Sequence, residues 1–89
     1  MKAVVTVIGK DSVGIIAEVS AECAKHKANI VDITQSVLKD YFAMIMLVEI
    51  DKMEADFAKF QKELTLLGEK KNLDIRAMHE DIFNSMHRI

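Results

Sequence analysis

Two short segments hold the residues best suited to gripping a small charged molecule: the run KDSVG at residues 10–14, and the pair Asn29 and Ile30. The first follows the apolar run VVTVIG and precedes a helical pattern. A strand feeding a helix through a short glycine-containing turn leaves unpaired backbone N–H groups at the helix start. With the helix dipole, these can hold an anion such as a ligand carboxylate. Asp11 is either a helix cap or the partner of an ammonium group. Gly14 either permits tight strand-to-helix packing or lets a ligand approach the backbone closely. If the loop is a site, a branched residue at Gly14 is expected to harm binding more than folding. Asn29 either supplies a left-handed residue after the helix or turns its amide toward a ligand.

The other reactive side chains suggest little chemistry. Cys23 shares an apolar stripe with Ile16 and Val19, so it reads as a small buried hydrophobe rather than a nucleophile. His26 falls near a helix end, where positive charge suits the dipole. His79 and His87 flank Glu80 and Asp81, but their spacing fits no standard metal-ligand pattern. Lys70 and Lys71 read as a solvated helix end. The two arginines, Arg76 and Arg88, lie far along the chain from the loop, which argues against a phosphate-hydrolysing relative of this architecture. A single cysteine excludes a paired-cysteine metal site and a disulfide framework. Tyr41 and Phe42 lack the basic context of an RNA-binding sheet. With no nucleophile–base pair or carboxylate dyad, the expectation is a non-catalytic protein without a cofactor.

The elements that must position these residues follow from periodicity. Residues 3–8 are short and β-branched, predicting a buried strand. Residues 14–28 carry apolar side chains at helical spacing, with Glu18, Glu22 and Lys25 outward and Asp11 or Ser12 as N-cap. Strands over 30–38 and 41–50 flank a tight turn at Lys39 and Asp40. Asp51 followed by Glu54 suggests a capping box for a second helix lined by Phe57, Phe60, Leu64 and Leu67. That helix ends at Gly68, or continues to Asn72. Residues 73–78 alternate as a final half-buried strand. The order βαββαβ predicts an α+β, ferredoxin-like sandwich: a four-stranded antiparallel sheet with both helices on one face.

One strand demands more. Phe42, Met44, Met46 and Val48 point one way, while Tyr41, Ala43, Ile45 and Leu47 point the other. Both faces are apolar, so the side away from the helices needs a cover. The candidates are another subunit and the C-terminal segment, where Ile82, Phe83, Met86 and Ile89 recur at helical spacing.

Asp11 and Gly14 in the loop, with Asn29 and Ile30 opening the next strand, resemble the ACT domain, and the ending EDIFNSMHRI resembles the tail of free-standing ACT proteins. The resemblance implies one ACT-like domain over residues 1–89, with 80–89 as a helical tail. It also implies a regulatory homodimer, or higher homo-oligomer, that binds an amino acid or related metabolite at the subunit interface. The positions it implicates are Asp11, Ser12, Val13, Gly14, Ile15, Asn29 and Ile30. The alternative is an interaction module without a ligand, docking as an accessory subunit on a larger metabolic enzyme.

Composition sets the remaining bounds. Eighty-nine residues, half of them apolar and with no proline, are too hydrophobic for disorder. A net charge of −2 with scattered lysines argues against nucleic acid as a partner. The apolar runs fall short of membrane-spanning length, and Met1 leads straight into the first strand without a signal peptide. The expectation is a soluble cytoplasmic protein.

Overall fold

The computed structural model describes residues 1–10, 13–53 and 56–86. The elements run β1 (Lys2–Lys10), α1 (Ile15–Lys25), β2 (Asn29–Leu38), β3 (Tyr41–Glu49), α2 (Phe57–Lys71), β4 (Leu73–His79) and α3 (Glu80–Met86). The strands form one antiparallel sheet in the order β2-β3-β1-β4. This is the ferredoxin-like βαββαβ arrangement, with a short third helix added.

Pairing across the sheet sorts every strand residue onto one of two faces, because side chains alternate along a strand. Ala3, Val5 and Val7 of β1 lie level with Val48, Met46 and Met44 of β3 and with His79, Ala77 and Ile75 of β4. These aliphatic and methionine side chains are buried under Ile15, Val19 and Cys23 of α1 and Phe60 and Leu64 of α2. Burial raises the Cys23 thiol pKa to about 11, with Glu22 adding to the shift, so the thiol stays protonated. Its role is packing.

Among the described residues the opposite face is covered only in part. Val4 is buried and Leu47 and Met78 are half-buried at the end where α3 contacts β1 and β4. Toward the other end Ile8, Tyr41 and Ile45 are exposed. The tail contributes less than its spacing suggests: Phe83 is half-buried, but Ile82 and Met86 face solvent. Ile89 lies outside the described residues.

Two local expectations are corrected, and one left open is decided. The second helix does not start from an Asp51–Glu54 capping box. Asp51 instead pairs with the N-terminal ammonium of Met1, and the N-cap is Asp56, whose Oδ1 accepts from the Lys59 N–H at 2.8 Å. Glu54 lies outside the described residues. Of the two ends expected for α2, the later one is observed: the helix runs past Gly68 and stops at Asn72, in the left-handed region at φ 59°. In α1 the core stripe runs through Ile15, Val19 and Cys23, while Ile16 is turned outward.

Candidate functional site

The loop after β1 delivers the chain into α1 through Gly14, the N-cap residue, at φ 89° and without a side-chain cap. The expected Asp11 or Ser12 cap falls on residues that lie outside the described ones. The left-handed backbone is what glycine provides here. Among the described residues a Cβ at Gly14 would meet nothing within 4 Å, so close packing against them does not account for the glycine. Gly14→Ala is therefore expected to cost about 1–2 kcal/mol from backbone strain alone. Urea unfolding of the ligand-free protein reads that cost, and an unchanged midpoint would contradict it. The geometry thus adds a folding penalty to the binding effect expected of a branched residue.

The other predicted positions divide clearly. Val13 is fully exposed beside Gly14, while Ile15 is buried as the first residue of α1, so only its backbone N–H can face a ligand. Asn29 opens β2 in extended conformation, because the left-handed residue after α1 is Lys27, at φ 60°. The turn-former reading of Asn29 therefore fails. Its amide is exposed and donates from Nδ2 to Glu49 Oε1 at 3.2 Å. Ile30 is half-buried against the core.

Loop and strand start do not meet within one chain. Lys10 pairs with Tyr41, and Tyr41 with Leu38; Lys2 pairs with Glu49, and Glu49 with Asn29. The loop and Asn29 thus sit at opposite ends of the nine-residue β1, roughly 25 Å apart at a rise of about 3.3 Å per residue.

Beside Asn29 lies a cavity of about 460 Å³, walled by the end of α1 and the turn after β3 and lined by Ala24, Lys27, Ala28, Glu49, Asp51 and Lys52. Sequence reasoning did not single out Glu49 or Lys52. The β2–β3 hairpin was legible, but it sets Glu49 against Asn29 only through a register shift between Ile30 and Asp32. Near this end of α1, His26 is 8% exposed and its ring packs at 5.3 Å on Phe60. Its Nε2 lies 3.6 Å from Glu22 Oε2, and among the described residues neither atom has a hydrogen-bond partner. The second histidine of interest, His79, stacks on Phe57 at 4.3 Å. Among the described residues no helix is long and apolar enough to cross a membrane.

A model of the ACT domain matches residues 2–78 of the chain. The chain is 47% identical to a UPF0237 protein of Methanopyrus kandleri, over 99% of this chain and 98% of that one. It is 48% identical to a UPF0237 protein of Clostridium acetobutylicum over the whole of both. Its fold superposes on an ACT domain protein from Streptococcus pneumoniae with a TM-score of 0.81, at 41% identity and 93% coverage of each chain. The chain belongs to the ACT domain family, a family of regulatory modules that often bind ligands.

Proposed function

We propose that this protein is a non-catalytic sensor: a homodimer that binds an amino acid or related metabolite where two chains meet. The carrying observation is the split of the recognition elements to opposite ends of the sheet, combined with an open edge. Among the described residues β2 pairs only with β3, and all of it but Ile30 is exposed, including Val31, Ile33, Val37 and Leu38. A long, apolar, unpaired edge is a template for a second strand. If β2 pairs antiparallel with its copy across a two-fold axis, the start of each strand comes to the end of the other. Asn29 of one chain then approaches the loop of its partner, and two equivalent sites result.

In such a site the N–H groups of Val13, Gly14 and Ile15 receive the carboxylate. Asp11 receives the ammonium beside Ser12, and Asn29 and the Ile30 backbone orient the ligand from the other chain. A ligand that favours one arrangement of the two chains changes what a partner protein meets.

The test is sedimentation for mass, together with thermal shift across the twenty amino acids, since a ligand selective for the folded state raises the melting temperature. Asn29→Ala is expected to weaken the responding amino acid roughly ten- to a hundredfold while leaving the dimer intact. A mass of 10.0 kDa, or no response from any amino acid at millimolar concentration, defeats the sensor reading. The uncovered patch of Ile8, Tyr41 and Ile45 supports a second reading, a docking subunit for a larger enzyme. Absence of any ligand would favour it.

A further inference from the structure

We propose that the cavity at the C-terminal end of α1 takes the zwitterionic head of an α-amino acid, with the Glu49 carboxylate on its ammonium and the Lys52 ammonium on its carboxylate. The inference rests on the sensor reading and adds to it the residues with which the second chain completes the site.

The charges of the cavity wall carry the argument. Asp51 is already engaged by the Met1 ammonium, and Lys27 has an interaction of its own. Among the described residues Glu49 accepts only from the neutral amide of Asn29, at 3.2 Å through Oε1. Lys2 faces Glu49 in the β1–β3 register but forms no ion pair among the described residues, and neither does Lys52. Among the described residues of the wall, Glu49 and Lys52 are thus a carboxylate and an ammonium with no ion-pair partner. A simple anion entering there meets Glu49 as a like charge, and a simple cation meets Lys52. A molecule carrying both charges satisfies each.

An ionised carboxylate has acceptor capacity on both oxygens, so Oε2 of Glu49 remains for a ligand after Oε1 is taken by Asn29. Asn29 is then a positioning residue, fixing the carboxylate that makes the contact. A volume of about 460 Å³ falls within the usual range for small-ligand sites and leaves room for a side chain beyond the head group, against Ala24 and Ala28. The ligand carboxylate, facing Lys52, keeps an oxygen for the loop amides arriving from the other chain.

The experiment is calorimetry on the full chain. Each of the twenty amino acids is titrated singly, followed by the des-amino carboxylic acid of the tightest binder. On the unaltered protein the des-amino acid is expected to bind at least roughly tenfold more weakly. Glu49→Gln keeps an acceptor for Asn29 and loses only the charge. It should melt as the parent protein does, weaken the amino acid by a similar factor and narrow its margin over the des-amino acid, the remainder resting on Asp11 of the other chain. Lys52→Met should weaken both ligands together.

Unchanged amino-acid affinity in Glu49→Gln overturns the assignment. If Asn29→Ala still weakens binding in that case, the sensor reading survives without it. Should Glu49→Gln prove unstable, equal affinity of the two ligands for the unaltered protein overturns the assignment as well. Failure of every amino acid to bind overturns both.

Discussion

Gly68→Val is expected to lower the stability of this protein by about 3 kcal/mol, a large fraction of the roughly 5–13 kcal/mol that a chain of this length commands. Gly68 is buried within α2, where the helix lies on β4. A Cβ there would come within 2.5 Å of the Leu73 carbonyl oxygen and 3.2 Å of an Ile75 side-chain carbon. The first obstacle is backbone, so the helix must lift from the sheet rather than a side chain turn aside. Lifting it loosens the neighbouring Leu64 and Phe60, which are fully buried. Glycine is unfavourable inside a helix by about 1 kcal/mol, but that gain on substitution is smaller than the clash. For a domain this small the melting temperature should fall by roughly 12–24 °C. Lys62→Val, exposed on the same helix, supplies the control, since it carries the cost of a β-branched residue without the clash. Equal melting of the two variants would show that contact with β4 does not decide the residue at 68.

That glycine also marks where sequence reasoning reached its limit. A glycine near the end of a helical pattern fits a C-terminal cap and a close helix–sheet contact equally well, and only the tertiary contact separates them. Similarly, DKMEADF contains two acidic candidates for the start of α2. Asp51 has the capping-box spacing, but Asp56 is the residue immediately before the first helical turn. The strands were more legible. Alternating Phe42, Met44, Met46 and Val48 are all buried, and the residues between them are exposed or half-buried, as a two-residue period requires.

The site was legible as two separate pieces. The residues of the loop and of the β2 start declare their chemistry, but their distance from one another depends on topology. Glu49 was hidden by a finer detail. Counting outward from the turn, where Leu38 meets Tyr41, an unbroken ladder brings Asn29 opposite Ile50. The irregularity between Ile30 and Asp32 inserts Val31 and brings Asn29 opposite Glu49 instead. A bulge of one residue thus exchanges a buried apolar neighbour for a carboxylate, and no local signal in NIVDIT announces it.

Charging the open edge should have the larger functional effect. The double substitution Ile33→Lys and Val37→Lys is expected to convert a dimer of twice 10.0 kDa to a monomer and to abolish the thermal response to amino acids. Ile33 and Val37 lie on the helix side of β2, level with Met46 and Phe42, and are 37% and 54% exposed. Both side chains already meet water in the single chain, so lysine there should alter the melting of the isolated fold by only a few tenths of a kcal/mol. In an antiparallel β2 pair the four lysines would face one another across the two-fold axis. Like charges directly opposed on paired strands are destabilising, and natural edges use lysine in this way to refuse partners. Loss of ligand response then follows by geometry, because roughly 25 Å separates the loop from Asn29 in one chain. Sedimentation and thermal shift on the same samples distinguish the outcomes. A monomer that still responds to the amino acid would show that one chain holds a complete site, and a variant that remains dimeric would move the interface to the exposed patch of Ile8, Tyr41 and Ile45.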